Sequence, residues 1–289
     1  MAKTHNFLIE SGASYFPDGV DFALRRNATP PDERFALHYH DHFEAFFALS
    51  GDMVYTVEGR LYRLEAGNLL IIAPYELHQL LSGGNGGAER ISLRFRAELL
   101  TRLSTPECNL GTNFENHAPG YQNLLRLNEP QQRQLADVLN GLLRETSECA
   151  FGSSLAASTL LTQFFLLVNR AVMAGAQTAS SPDPTAWLVQ QAVEYMEQNY
   201  ASPISLEDLS RHLGVDRYSL SRAFTRLVGC PPHRFLIQKR LQRVGQLLRN
   251  GIPPQDAAYQ CGFMDYTNFY RRFRSAYGIS PRSWQAREK

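Results

Sequence analysis

The sequence predicts an α+β protein of two domains, a small amino-terminal β-barrel with a helical segment behind it and an all-helical carboxy-terminal domain. Three observations carry that reading. Short apolar strands with turn signals crowd the stretch from about Phe35 to Phe95, an internal repeat runs from Ser205 to Trp284, and the charge reverses sign between the two parts.

In the repeat, Asp208, Gly214, Leu220, Arg222, Phe224, Gly229, Pro232 and Phe235 return as Asp256, Gly262, Phe269, Arg271, Phe273, Gly278, Pro281 and Trp284. The offset is 48 residues up to the glycine and 49 beyond it, so the second copy carries one more residue in its turn. Each copy reads as a short helix, a glycine-bearing turn and a second helix with exposed arginine, the pattern of a helix-turn-helix. Ser205 with Asp208 three residues on makes a capping box that starts the first unit. Pro253-Pro254 opens the second, because proline is accepted in a first helical turn. Between the units, Arg234 to Leu248 carries Phe235, Ile237, Leu241, Val244 and Leu248 and predicts a helical strut of ~22 Å at ~1.5 Å per residue. A further helix is expected from near Trp187, with Val189, Val193, Tyr195 and Met196 as its apolar positions.

Charge gives independent support. Residues 185–289 hold 15 Lys+Arg against 8 Asp+Glu, whereas residues 1–184 hold 14 against 20, so the whole-chain value of +1 conceals a basic third and an acidic remainder. A basic domain is the electrostatic footprint of phosphate binding, since each neutralised phosphate releases condensed counterions.

Within the barrel, Val54 to Val57 and Leu61 to Leu64 flank Glu58-Gly59-Arg60, a hairpin signal, and the apolar run Leu69 to Ala73 ends at Pro74. Ser82 to Gly87 reads as a loop before the strand Arg90 to Phe95. Beyond Arg96 the period changes. Leu135, Val138, Leu139, Leu142 and Leu143, and then Leu160, Leu161, Phe164, Phe165 and Val168, follow helical spacing and predict two amphipathic helices, the expected surface for pairing two subunits. Gly175 to Pro184 is small, polar and proline-bearing, as a linker is. The expected division is thus 1–100 barrel, 101–174 helical dimerisation segment, 175–184 linker and 185–289 helix-turn-helix domain. With 44% apolar and 20% charged residues the chain has an ordinary globular composition. The start lacks a basic segment followed by an apolar run, and Gln163, Asn169 and Arg170 interrupt the most apolar stretch, so neither a secretory signal nor a membrane span is expected. Cys108, Cys149, Cys230 and Cys261 form no C-x-x-C pair, which points to a reduced, cytoplasmic protein.

In a helix-turn-helix the second helix lies in the major groove with its early residues at base edges. The first reading helix should begin near Asp216, presenting Arg217, Tyr218, Ser221 and Arg222 while Leu220, Phe224 and Leu227 face inward. The matching residues of the second are Tyr266, Thr267, Tyr270 and Arg271. Arg222 and Arg271 hold the same place in both copies, and arginine can donate two parallel hydrogen bonds to guanine. The neighbouring Arg226, Arg272 and Arg274 are read as phosphate contacts or solvated side chains.

The strings LSRHLGVDRYSLSRAFTRLVGCPPHRFL, KRLQRVGQLL and QCGFMDYTNFYRRFRSAYGISPRSW together resemble the DNA-binding domain of AraC/XylS-type transcription regulators over about 100 residues. The chain departs from that pattern at Asp256-Ala257-Ala258, where an Ile-Ala pair is usual, and at Gln285, where an arginine often stands. The resemblance implies a DNA-binding transcription regulator, an activator, with promoter DNA, a small-molecule effector and RNA polymerase as partners, acting as a homodimer. A sugar or glycoside is the effector class it implies.

In the amino-terminal part, His38, His40, His42 and Glu44 alternate along one predicted strand and should share a face. His38-x-His40-x-x-x-Glu44 with Gly51, and later Gly67, Pro74 and His78, resemble the two signature stretches of a cupin barrel. In metal-dependent cupins the matching residues hold a transition metal, a donor set that suits Fe, Mn, Ni or Zn; sensory cupins of AraC-type regulators often keep the histidines without a metal. The adopted reading has His38, His40, Glu44 and His78 lining an effector pocket, with no metal, no cofactor and no catalytic residue. Phe43, Phe46, Phe47, Tyr55 and Tyr62 are expected in the core. The alternatives are a cupin metalloenzyme with a DNA-binding appendage, and a regulator controlled by a protein partner.

Overall fold

A computed structural model describes residues 21–287 apart from 36, 85, 115–120, 149 and 177–183. The amino-terminal start and most of the expected linker lie outside the described residues. Strands β1 (Phe22–Thr29), β2 (Phe43–Ser50), β3 (Asp52–Val57), β4 (Arg60–Glu65), β5 (Leu69–Ile72), β6 (His78–Ser82) and β7 (Ala88–Phe95) are followed by helix α1 (Ala97–Leu103) and the short strand β8 (Leu124–Leu125). They form two antiparallel sheets, one in the order β1-β7-β2-β5-β8 and one in the order β4-β3-β6. The tip of the β3–β4 hairpin is the pair Glu58-Gly59, with φ of 50° and 73°. Two residues at positive φ match the right-handed twist of the flanking strands.

The layers explain why the strands read as continuous apolar runs. Phe43, Ala45, Phe47, Leu69 and Ile71 point to one side of the five-stranded sheet, where α2 (Glu129–Glu148) and α3 (Ser153–Met173) cover them. Phe46, Ala48, Leu70 and Ile72 point to the other side and meet Met53, Tyr55, Val57, Tyr62 and Leu64 of the three-stranded sheet. A strand buried on both faces has no polar alternation to show. The aromatic residues expected in the core are there. The helical segment shares one core with the five-stranded sheet and is part of the same domain. Helix α3, with a mean hydropathy of 1.4, is long and apolar enough to cross a membrane by composition, contrary to the expectation from sequence; Leu161, Phe164, Phe165 and Val168 bury its inner face in this core.

The carboxy-terminal domain comprises α4 (Pro184–Asn199), α5 (Leu206–Leu213), α6 (Arg217–Val228), α7 (Pro232–Arg249), α8 (Pro254–Gln260), α9 (Tyr266–Tyr277) and α10 (Pro281–Arg287). Helix α7 extends further than the sequence pattern indicated, 18 residues and thus ~27 Å. Pro232 sits in its first turn, which a helical-period count misses.

Three expectations need correcting. Strand β1, which pairs with β7 from Phe22↔Phe95 to Thr29↔Ala88, was not anticipated, because its charged residues mask the period. His38 to Glu44 is not one strand: an isolated bridge joins His38 to His78, the chain bends at Asp41-His42, and β2 begins only at Phe43. The two domains are also less separate than charge suggested. Leu37, Tyr39 and Leu77 belong to the same hydrophobic core as α4 to α10, and burying such side chains contributes about 1.5–3 kcal/mol each.

Candidate functional site

The two reading helices are α6 and α9. Asp216 caps the first, its carboxylate accepting from the backbone amides of Tyr218 and Ser219 at 3.0 and 2.9 Å; Asp265 caps the second through Asn268 N. These caps satisfy amides that the helix start leaves free. Leu220, Phe224, Phe269 and Phe273 are completely buried and fix which face turns outward. Arg222 and Arg271 are exposed in the first half of each helix and form no ion pair among the described residues. Tyr218, Thr267 and Tyr270 are exposed as well. Arg217 is exposed but engaged, with its guanidinium 3.0 Å from Glu207 Oε1 and 5.0 Å from the Tyr218 ring. Ser221 is half-buried, and Tyr266 leans on Phe269 with ring centres 5.4 Å apart. Gln285 explains one departure from the family pattern: its amide donates to Leu248 O and Ile252 O at 3.2 and 3.0 Å and closes the end of α7.

The opposite ends of the same two helices rest on the barrel. Gln79 Nε2 donates to Leu227 O at 3.0 Å at the end of α6, and Tyr277 at the end of α9 packs edge-on against Tyr39 at 5.9 Å. The strut α7 adds three contacts: Lys239 pairs with Glu58 and, at 3.0 Å, with Glu197; Gln242 donates to Tyr75 O; and Arg249 lies 4.3 Å over the Tyr75 ring and bonds its hydroxyl. Sequence reading missed all of these. Gln238 and Gln242, buried polar residues on the apolar stripe of a helix, were the available signal.

Four residues expected together in the sensing domain are together. The ligating atoms of His38, His40, Glu44 and His78 all lie within 4.8 Å of one another. His40 and Glu44 come from the two sides of the bend, while the His38↔His78 bridge, with N–H···O bonds of 3.0 Å each way, brings the second pair of rings to 4.2 Å. His42 does not join them; it stacks behind His40 at 3.8 Å, with Nδ1 3.3 Å from Asp41. Glu44 Oε2 faces His40 Nε2 at 3.1 Å and His78 Nε2 at 3.4 Å, and its other oxygen pairs with Arg94, the cross-strand neighbour on β7. Burial pushes the Glu44 carboxyl up, and the facing imidazoles of His40 and His78 more than reverse this, holding it well below its ordinary value.

An AraC-like ligand-binding domain matches residues 23–165, and a helix-turn-helix domain matches residues 209–287. The chain belongs to the AraC family of transcription regulators. This AraC-family chain is 23% identical over 236 residues to the uncharacterized HTH-type transcriptional regulator YbfI of Bacillus subtilis, covering 82% of each. It is 24% identical over 264 residues to the HTH-type transcriptional activator RhaR of Escherichia coli, covering 88% of each. Among solved structures, ToxT from Vibrio cholerae aligns with 92% of this chain and 97% of its own at 14% identity and a TM-score of 0.37. A regulator from Chromobacterium violaceum with an AraC-type DNA-binding domain aligns with 35% of this chain and 91% of its own, at 30% identity and a TM-score of 0.34. As an AraC-family member the protein is a DNA-binding transcription regulator with a ligand-binding domain.

Proposed function

We propose that the protein is a transcription activator whose hold on promoter DNA is set by a small ligand at His38, His40, Glu44 and His78, and that it is not an enzyme. The observation that carries this is the arrangement of α6 and α9: their first halves present Arg222 and Arg271 to solvent, while their far ends are docked on the sensing barrel. Arg217, Tyr218, Ser221 and Arg222 read one major-groove segment, and Tyr266, Thr267, Tyr270 and Arg271 read the next. A ligand that favours one docking of the barrel over another shifts DNA affinity by its differential binding to the two. The activator reading is supported by similarity along most of the chain to RhaR, named a transcriptional activator. RNA polymerase is the further partner, and the cytoplasm the place of action.

Homodimerisation falls to α2 and α3, where Val138, Leu160, Leu166 and Leu167 line an outward groove of about 380 Å³. A sugar or glycoside is the effector class favoured by the family resemblance, with an aromatic or lipid-like ligand as the alternative. The test is a thermal-shift screen of sugars, glycosides and metal ions, followed by operator binding of the full chain with each hit. A ligand at ~100 times its Kd should add about 2.7 kcal/mol of stability and change operator affinity, and Glu44→Gln should abolish both effects while leaving DNA binding in the absence of ligand intact. A hit whose effects survive Glu44→Gln would move the sensing site elsewhere.

A further inference from the structure

We propose that the effector is an organic acid and that Arg90, inside the barrel, holds its carboxylate. The proposal deepens the reading of the barrel as the sensing domain and rests on it.

Strand β7 sorts its side chains by face. Ile91, Leu93 and Phe95 join the core under α2 and α3, while Arg90, Ser92 and Arg94 alternate with them and face the three-stranded sheet. Arg94 meets the Glu44 carboxylate on the neighbouring strand. Arg90 has no such acid: it is 5% exposed and forms no ion pair among the described residues. Its guanidinium lies 5.4 Å from the centre of the Phe46 ring and 5.7 Å from that of Phe35. Nη1 donates to Thr29 Oγ1 and lies 3.7 Å from Met53 Sδ, whereas Nε is buried with no hydrogen-bond partner. A guanidinium is a permanent cation, and a cation out of water is costly unless paired. The two rings and the hydroxyl replace part of the lost hydration, but none of them brings a negative charge.

The unused part of Arg90 has a definite shape. With Nη1 held by the protein, the edge left over is that of Nε and Nη2, which presents two parallel N–H groups. A carboxylate accepts both at once. The surroundings add polar groups on the same side of the sheet, where Asn27 Nδ2 donates to Ser92 Oγ at 3.0 Å. Burial raises the Tyr55 hydroxyl, and the charges of Arg90, Glu44, Glu33 and Arg94 bear on it as well, which places this phenol among the four. Glu33 Oε2 is itself buried without a hydrogen-bond partner and can accept from a ligand hydroxyl, which favours a hydroxylated acid. Access is through Phe35. That ring is 39% exposed, and its backbone amide donates to Leu80 O at 3.1 Å, so an acid can turn the ring aside without opening the core around Phe46.

The full-length protein is screened by thermal shift and then titrated calorimetrically at constant ionic strength, each acid beside an uncharged partner. The pairs are glucuronate with glucose, gluconate with sorbitol, and phenylacetate with phenylacetamide; inorganic phosphate is run alone. At least one acid should bind, its uncharged partner and phosphate should bind at least ~30-fold more weakly, and Arg90→Met should weaken the acid by a similar factor. The two sugar-derived pairs and the phenylacetate pair show which kind of acid it is. The bound acid should change affinity for an operator duplex selected from random sequence by at least ~5-fold. Without ligand, Arg90→Met should melt no lower than the unmutated protein, because it removes a buried charge that has no partner. Failure of every acid to bind, equal binding of the uncharged partner or of phosphate, or undiminished binding by Arg90→Met overturns the proposal. A ligand-free Arg90→Met protein that melts more than ~5 °C lower also overturns it, by making Arg90 a structural brace, and an acid bound at Arg90 with operator affinity unaltered overturns its role as effector. Glu44→Gln separates this from the reading of the histidine cluster: an acid that needs Arg90 but not Glu44 sustains the proposal and moves the site off the cluster, whereas an uncharged ligand that needs Glu44 but not Arg90 overturns the proposal and leaves the cluster as the sensing site.

Discussion

The two helix-turn-helix units have one plan and differ at three places. In the first, the turn runs from Gly214 through Val215 to the cap at Asp216; in the second, it runs from Gly262 through Phe263 and Met264 to Asp265, one residue longer. The added length is absorbed by burying Phe263 against Phe269 at 5.2 Å and leaving Met264 83% exposed. The glycines hold the same left-handed geometry in both, φ 67° and 79°. The caps differ as well, since Asp216 accepts from two amides and Asp265 from one. Docking differs last: the first unit meets the barrel through a polar contact at Leu227 O, and the second through the phenol Tyr277. Duplicated framework with divergent edges lets two readers share one strut while answering to different parts of the sensor.

Truncating the framework should hit both copies equally hard. Phe224→Ala and Phe273→Ala each remove a completely buried ring, so each should cost about 3–5 kcal/mol in denaturant unfolding. A difference above ~2 kcal/mol between them would show that the copies are not equivalent cores. The turn should separate them: Phe263→Ala is expected to cost about 3 kcal/mol, whereas Met264→Ala should stay within ~0.5 kcal/mol, since nothing buried is lost. Equal costs would mean that the longer turn is held in another way. At the caps, Asp216→Ala should lose about 1 kcal/mol and Asp265→Ala less, and the reverse order would argue that the number of amides capped is not what matters.

The docking contacts differ in pH response. Burial pushes the Tyr39 hydroxyl up to about 12 and raises that of Tyr277 well above its ordinary value. The unfolded chain therefore loses these protons first, so stability from the folded phenols is present below pH ~10 and falls as pH rises toward ~12. Tyr39→Phe should flatten that alkaline loss in a pH series of thermal melts, while Gln79→Leu should leave its slope unchanged. An unaltered slope in Tyr39→Phe would place the alkaline sensitivity elsewhere.

How much of this was legible in sequence follows from how local each signal is. The repeat, its caps and its inward rings were readable because helix starts, glycine turns and the 3.6-residue period lie within a few residues of each other. The histidine cluster was readable as composition but not as geometry: alternation put His42 on the same face, and the bend at Asp41-His42 removed it. Arg94 was invisible as the partner of Glu44, because a cross-strand neighbour is set by register between strands 50 residues apart. The domain interface was the least legible. Glu58, Tyr75 and Lys239 read as ordinary turn and surface residues until the three-stranded sheet and α7 are laid together.

Tandem reading is tested most directly by the base-preference profiles of Arg222→Ala and Arg271→Ala beside the unmutated protein, selected from random duplexes at fixed salt. Two readers on one strut predict a loss of about 1–3 kcal/mol in each variant, with preference relaxed at only a few base pairs and the two affected patches about one DNA turn, ~34 Å, apart. A uniform loss across all sequences in both variants, with a shallower dependence on salt, would place both arginines on phosphates and contradict reading by the repeated units.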